Sequence, residues 1–165
     1  MIPNKLPDAI NKQINREIYS AYLYLSMASY FDSIGLKGCA SWMKVQFQEE
    51  MLHAMKMYDY LYINGARAVM LPIEAPRTSW ESPLAAFKHT LDHERMVTGL
   101  INNLVSIAKA EKDAAGGKFL QWFIKEQVEE EESAGDKVNK FEAAGGDEGK
   151  IKAIDEELGK RRFNG

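Results

Sequence analysis

The sequence has 165 residues, of which 45% are hydrophobic and 27% charged, with a net charge of -3 and a single cysteine. This length suits one well-buried domain, so we expect residues 1–165 to form a single domain. The small net charge favours neither a nucleic-acid partner nor a membrane partner. Cys39 cannot form an internal disulfide, and neither a signal peptide nor an apolar run of ~20 residues is recognisable, which favours the cytoplasm.

Apolar residues recur at alternating spacings of four and three along four long stretches, which is typical of amphipathic helices. A tight turn containing Gly35 and Gly38 separates the first two stretches, so these helices should run antiparallel. Gly65 is expected to end the second helix, because glycine readily adopts the left-handed conformation found at helix ends. We place the helices at about 6–34, 37–64, 83–112 and 114–144, with a short fifth helix at about 147–160.

The segment from Gly65 to Glu81 contains two prolines and has no helical periodicity. It can span at most ~60 Å when extended, whereas a helix of about 28 residues is ~42 Å long. The segment can therefore cross the full length of a bundle, which would make the second and third helices parallel. The expected fold class is all-α: a four-helix bundle with one long crossover between helices two and three.

The later helices have recognisable start signals. Ser82 followed by Pro83 is typical of a helix N-terminus, and Asp113 and Asp147 are suitable caps for the fourth and fifth helices. The fifth helix is short and amphipathic, so its apolar stripe needs a partner. This stripe consists of Ile151, Ile154 and Leu158.

A glutamate interrupts the apolar seam near the middle of each long helix, at Glu17, Glu50, Glu94 and Glu130. Buried carboxylates are costly unless a cation meets them, and lysine and arginine are almost absent from these seams. One such residue alone would suggest a buried ion pair, but four at one height favour metal. His53 follows Glu50 by three residues, on the same helical face. Oxygen ligands with one imidazole favour iron or manganese, and two ions bridged by Glu50 would balance four carboxylates.

These residues resemble the haem-free bacterial ferritins over the whole chain. The similarity is carried by residues 15–22 (NREIYSAY), 49–54 (EEMLHA) and 126–130 (EQVEE), and by Glu94. It implies a first iron on Glu17, Glu50 and His53, and a second on Glu50, Glu94 and Glu130 with Gln127 nearby. It also implies a third position on Glu49, Glu126, Glu129 and Glu130, and a tyrosine, Tyr24, that hydrogen-bonds a ligand and can supply an electron. Glu49 and Glu129 lie off the seams, so they would serve a site open to one side.

The resemblance implies an iron-storage ferritin with ferroxidase activity. Such a protein oxidises Fe(II) to Fe(III) with O2 or H2O2 and stores ferric oxyhydroxide inside a homo-oligomeric cage, for which 24 subunits are expected. Bacterioferritins and rubrerythrins usually carry a second Glu-x-x-His on the fourth helix. In this chain Glu130 occupies the position of that histidine, which favours an iron-storing ferritin over both. No haem is expected, because Met51, at the haem-ligand position of bacterioferritins, is more often a packing residue.

Other interpretations remain open at this stage. A di-iron oxidase or peroxidase of the same superfamily that stores no iron would share these ligands, whereas a cytokine-like bundle would carry a secretion signal or disulfides. His89 and His93 are four residues apart and form a weaker candidate for a surface metal pair. Cys39, Trp42 and Trp122 are interpreted as packing residues.

Overall fold

A computed structural model of the chain describes residues 5–165, and its regular structure in that range is entirely helical. The helices are α1 (Lys5–Ser33), α2 (Lys37–Ile63), α3 (Pro83–Ala110), α4 (Ala114–Ala144) and α5 (Glu148–Leu158). The predicted all-α fold is therefore confirmed, with every helix boundary within about two residues of its expected position. Within residues 5–165, no helix is long and apolar enough to cross a membrane.

Local chemistry explains where the helices begin and end. Ser82, Asp113 and Asp147 each accept a hydrogen bond from the backbone N–H three residues further on, so all three predicted caps are formed. Beyond the end of α2, Gly65 has a φ of 74°, the left-handed conformation that favours glycine.

The crossover between α2 and α3 lies along α1. Near one end of α1, Asn11 Oδ1 accepts a hydrogen bond of 2.6 Å from the backbone N–H of Val69. Four helical turns later, Ser26 Oγ donates one of 2.7 Å to the carbonyl of Arg77. Side chains of α1 therefore satisfy backbone groups of a segment that forms no regular structure of its own.

Contacts between α1 and α3 establish the direction of the helices. Phe31 packs on Phe87 with ring centroids 5.6 Å apart, whereas Ser20 hydrogen-bonds His93. Residue numbers therefore rise along α1 as they fall along α3, so these two helices are antiparallel. Because the tight turn also makes α1 antiparallel to α2, helices α2 and α3 are parallel, as the crossover length predicts.

Two hydrophobic clusters fill the bundle and leave a polar layer between them. One cluster is built around Met27, Phe31, Met43, Phe87 and Phe141. The other contains Ile10, Ile14, Met57, Leu61, Ile101, Leu104 and Leu120. The four seam glutamates lie between the two clusters in the sequence of every long helix, so the apolar packing on both sides holds them at one level.

Helix α5 packs across the beginning of α2. A Cβ atom on Gly38 would lie 1.7 Å from the carbonyl oxygen of Asp155, so only glycine permits this approach. Asp155 Oδ1 also accepts a hydrogen bond of 2.7 Å from the backbone N–H of Cys39, close to the start of α2. The apolar stripe of α5 thus finds its partner in the first hydrophobic cluster, where Leu158 is 3% exposed. Cys39 is buried, and burial raises the pKa of its thiol.

Candidate metal centre

Each long helix contributes one carboxylate to the polar layer. Glu17, Glu50 and Glu94 are 1–2% exposed and Glu130 is 6% exposed, with His53 beside them at 1%. Each of the four glutamates occupies a position of the apolar seam, so the amphipathic pattern that buries the neighbouring apolar side chains also buries the carboxylates. The structure therefore brings together the five residues that the sequence singles out most strongly.

Three groups of ligand atoms form within this layer, and in each group the atoms lie within 4.8 Å of one another. The first group is Glu17, Glu50 and His53, and the second is Glu50, Glu94 and Glu130. These sets have the compositions that the family resemblance implies for the first and second iron. A third group joins His53, Glu126 and Glu130. The sharing of Glu50 between the first two groups is what a carboxylate bridging two cations requires.

Two buried atoms in the layer have no hydrogen-bond partner among the described residues: Glu17 Oε2 and His53 Nδ1. His53 Nδ1 lies 3.3 Å from Glu50 Oε2, but not in hydrogen-bond geometry. Unsatisfied buried polar atoms are costly, and both of these belong to the first ligand group. A cation between them would satisfy both atoms, so the donor set fits a metal of hard or borderline character.

Burial makes the carboxyl groups of Glu50, Glu94 and Glu130 resist ionisation. It raises the pKa of Glu94 to about 7 and, together with the charge of Glu94, that of Glu130 to about 8. The pKa of Glu50 is also raised, by burial and by Glu94. Burial opposes protonation of His53, but the carboxylates of Glu50 and Glu126 outweigh it and hold its pKa above the ordinary value. A cation bound here would have to replace these protons, so its binding would be coupled to proton release.

Tyr24 and Gln127 both bind Glu94. The fully buried hydroxyl of Tyr24 donates a short hydrogen bond to Glu94 Oε1, as the resemblance implies. Burial and the charge of Glu94 raise the pKa of Tyr24 well above its ordinary value. Gln127 Nε2 lies 3.1 Å from Glu94 Oε2 and also contacts Thr98 Oγ1 at 3.2 Å. Both residues therefore orient a candidate ligand.

The three other acids expected near the centre behave differently from one another. The side chain of Glu126 is 24% exposed, and its Oε1 lies 3.7 Å from His53 Nε2. The nearby imidazole of His53 lowers the pKa of Glu126. Glu129 is exposed and joins none of the ligand groups found among residues 5–165. Glu49 also stands outside these groups, and Arg161 Nη2 lies 2.7 Å from its Oε2. The assignment of Glu49, Glu126 and Glu129 to a third iron position stays a prediction, as does the whole ligand set.

Gln46 is a site residue that sequence reasoning missed. Its side chain is 1% exposed, and its Nε2 donates to Glu50 Oε1 at 3.1 Å and to Glu130 Oε2 at 2.7 Å. The signal was available, since Gln46 lies four residues before Glu50 on the same helical face. Arg161, which donates to Gln46 Oε1, was also missed, and no periodicity could have placed it there.

The two remaining histidines do not form an open metal pair. His89 Nδ1 accepts a hydrogen bond of 3.0 Å from Trp80 Nε1. His93 is 6% exposed, and its Nε2 lies 2.8 Å from Ser20 Oγ. Burial lowers the pKa of His93 to about 4, so it is neutral at pH 7. Both histidines are therefore held by neighbouring side chains within the bundle.

Trp42 and Trp122 lie on either side of the polar layer. Trp122 packs edge-on against His53, with ring centroids 5.4 Å apart, and Lys56 Nζ lies 4.5 Å above its indole ring. Trp42 packs against Phe87 and carries the guanidinium of Arg161 at 4.3 Å from its ring centroid. These contacts agree with the packing roles expected from the sequence.

Comparisons with known proteins agree with this geometry. Residues 7–144 match the family model described as "Ferritin-like domain". The chain is 49% identical over 161 residues to the "Bacterial non-heme ferritin" of Bacteroides fragilis strain 638R, covering 98% of this chain and 100% of that one. It is 37% identical over 164 residues to the protein of that name from Staphylococcus aureus strain USA300, covering 99% of each.

Solved structures give the same result. A crystal structure of an open pore ferritin from the hyperthermophilic archaeon Archaeoglobus fulgidus is 54% identical, with a TM-score of 0.96 and coverage of 98% of this chain and 100% of that one. A humanized archaeal ferritin is 55% identical, with a TM-score of 0.97, over 99% of this chain and 100% of its own. The inclusion of α5 in one domain with residues 7–144 stays a prediction. By family model, full-length relatives and fold alike, the chain belongs to the ferritin-like domain family.

Proposed function

We propose that this protein is an iron-storage ferritin with ferroxidase activity. The observation that carries the proposal is the buried layer in which four carboxylates and His53 converge. Within residues 5–165, Glu17 Oε2 and His53 Nδ1 have no hydrogen-bond partner in this layer. Full-length similarity to proteins named bacterial non-heme ferritin supports it. In this proposal two Fe(II) ions bind as substrate, on Glu17, Glu50 and His53 and on Glu50, Glu94 and Glu130.

The chemistry follows from the charge of the layer. Two Fe(II) ions together give up two electrons, which with two protons convert O2 to H2O2 or H2O2 to two waters. Anionic ligands in a buried site stabilise Fe(III) more than Fe(II), because Coulomb energy grows with the charge of the ion. The protein supplies the carboxylates, and Tyr24 and Gln127 hold Glu94 in position. The carboxyl groups whose pKa is raised ionise when the metal binds, and this releases protons into the site.

Storage needs a cavity, which a single bundle of 18.7 kDa lacks. We therefore propose a closed homo-oligomeric cage of 24 subunits in the cytoplasm, in which ferric product collects as oxyhydroxide mineral, with no haem. Full-length similarity to a ferritin of A. fulgidus and to bacterial non-heme ferritins supports assembly as an oligomeric cage, whereas its closed form and its 24 subunits rest on the family resemblance. A third iron on Glu49, Glu126, Glu129 and Glu130 belongs to the same proposal.

The decisive experiment is aerobic addition of Fe(II) to the purified protein, followed by size-exclusion chromatography with iron analysis. Rapid oxidation, with iron eluting in a particle of several hundred kilodaltons, is the expected result. Glu50→Ala should lose the fast phase because Glu50 belongs to two ligand groups, whereas Glu132→Ala, an exposed acid on α4, should keep it. Oxidation that stops at about two irons per chain in a small oligomer would instead identify a di-iron oxidase that stores no iron.

A further inference from the structure

The chain after α5 returns to the metal centre through Arg161. Its Nη1 donates to Gln46 Oε1 at 3.0 Å and to the Trp42 carbonyl at 3.3 Å, and its Nη2 donates to Glu49 Oε2 at 2.7 Å. The guanidinium also lies over the Trp42 ring, and its side chain is 22% exposed. With four contacts to three residues of α2, Arg161 is far more constrained than an ordinary surface arginine.

These contacts determine the orientation of the Gln46 amide. A guanidinium has only donors, so the group facing Arg161 must be the amide oxygen. The amide nitrogen must then face the other way, where it donates to Glu50 Oε1 and Glu130 Oε2. A flipped amide would place its N–H groups against the guanidinium and its oxygen against two carboxylates. With the side chain 1% exposed, water could not compensate for either mismatch.

We propose that Arg161 is a positioning residue for the metal centre, acting through Gln46. The amide of Gln46 ties the carboxylate of Glu50 on α2 to that of Glu130 on α4, and these two carboxylates share the second ligand group. Arg161 holds the Gln46 amide in this orientation from outside the bundle, so the C-terminal segment preorganises the second cation position. Groups that orient metal ligands commonly alter metal affinity by about 10- to 100-fold. This inference rests on the proposed function, because it assumes that the layer binds metal.

The test uses Co(II) alone as the probe, titrated without oxygen into the full-length assembled protein and followed by its visible absorption. The variants are Arg161→Gln, Arg161→Lys, Gln46→Met and the double variant Arg161→Gln with Gln46→Met. The matched control is Arg162→Gln, because within residues 5–165 the Arg162 guanidinium hydrogen-bonds only the backbone carbonyls of Gly159 and Arg161. Elution volume and circular dichroism verify that each variant is folded and assembled.

We expect at least two Co(II) ions per chain in the unchanged protein, and a loss of affinity at the second position of about tenfold in Arg161→Gln. Gln46→Met should show a similar loss. The double variant should bind Co(II) no more weakly than either single variant, because both changes disrupt the same hydrogen bonds from Gln46 to Glu50 and Glu130. Arg161→Lys keeps a donor and should recover part of the affinity, while Arg162→Gln should bind like the unchanged protein.

Two results would overturn the inference while leaving the proposed function intact. In the first, Arg161→Gln binds both Co(II) ions as the unchanged protein does. In the second, the losses in the double variant add, so that Arg161 does not act through Gln46. Failure of the unchanged protein to bind any Co(II) would overturn the proposed function and this inference together.

Discussion

Replacing Glu130 by glutamine should stabilise the metal-free protein, by an amount that grows with pH. The carboxyl group is buried, and its pKa is raised from 4.5 to about 8 by burial and by the charge of Glu94. A carboxyl with a raised pKa contributes stability that is complete below pH 4.5 and is lost as the pH rises towards 8. Glutamine has nearly the same shape, never ionises, and keeps an oxygen that can accept the hydrogen bond from Gln46.

The magnitude follows from the shift. At pH 7 the pH stands 2.5 units above the ordinary value of 4.5 and still below the raised value of about 8. At 1.36 kcal/mol per unit, the carboxyl group therefore lowers the free energy of unfolding at pH 7 by about 3 kcal/mol relative to the amide. For a protein of this size the midpoint of thermal unfolding should rise by roughly 6–12 °C at pH 7, and hardly at all near pH 4.5.

The assay is thermal unfolding in a chelating buffer between pH 4.5 and 8, with Glu132→Gln as the control for a change of net charge. Glu132 is an exposed acid on the same helix, so its replacement should leave the midpoint nearly unchanged. A constant difference between Glu130→Gln and the unchanged protein at every pH would refute the electrostatic reasoning. So would a variant that is less stable at pH 7. In excess Co(II) the unchanged protein should instead be more stable than Glu130→Gln, because the variant loses a candidate ligand.

Three further predictions concern the centre and its surroundings. Because the pKa of Glu94 is about 7 and that of Glu130 about 8, Co(II) affinity should rise from pH 6 to 8, with proton release measurable by calorimetry in buffers of different ionisation enthalpy. Tyr24→Phe removes the donor to Glu94 and should weaken Co(II) binding several-fold while changing the free energy of unfolding by about 1 kcal/mol, measured by denaturant titration. Gly38→Ala should separate α5 from α2, since the new Cβ meets the carbonyl of Asp155 at 1.7 Å; amide hydrogen exchange should then accelerate in α5 but not in α3.

Local patterns carry much of the fold. The spacing of apolar residues depends only on the 3.6-residue period of a helix, so it places the four long helices and their seams correctly. Ser82, Asp113 and Asp147 act on backbone groups three residues away, which makes caps predictable from short strings. The direction of α3 follows from the length of the crossover, because a chain of known reach must cover a helix of known length.

The convergence of the carboxylates was predictable for the same reason. Glu17, Glu50, Glu94 and Glu130 all occupy mid-helix seam positions, and antiparallel and parallel helices alike bring such positions to one level. Their role as ligands was inferred from the cost of burying four negative charges, which is independent of the detailed packing.

Only the tertiary structure shows how the layer is held together. Arg161 meets Gln46 although 115 positions separate them, because α5 packs on α2 where Gly38 leaves room for Asp155. Likewise, the burial of His93 against Ser20 depends on the distance between α1 and α3. The helices, their seams and the level of the four carboxylates follow from local patterns of the sequence, since these depend on interactions within one or two helical turns. The partners of those carboxylates were decided by the packing of distant segments, because a hydrogen bond needs atoms placed to within a few tenths of an ångström.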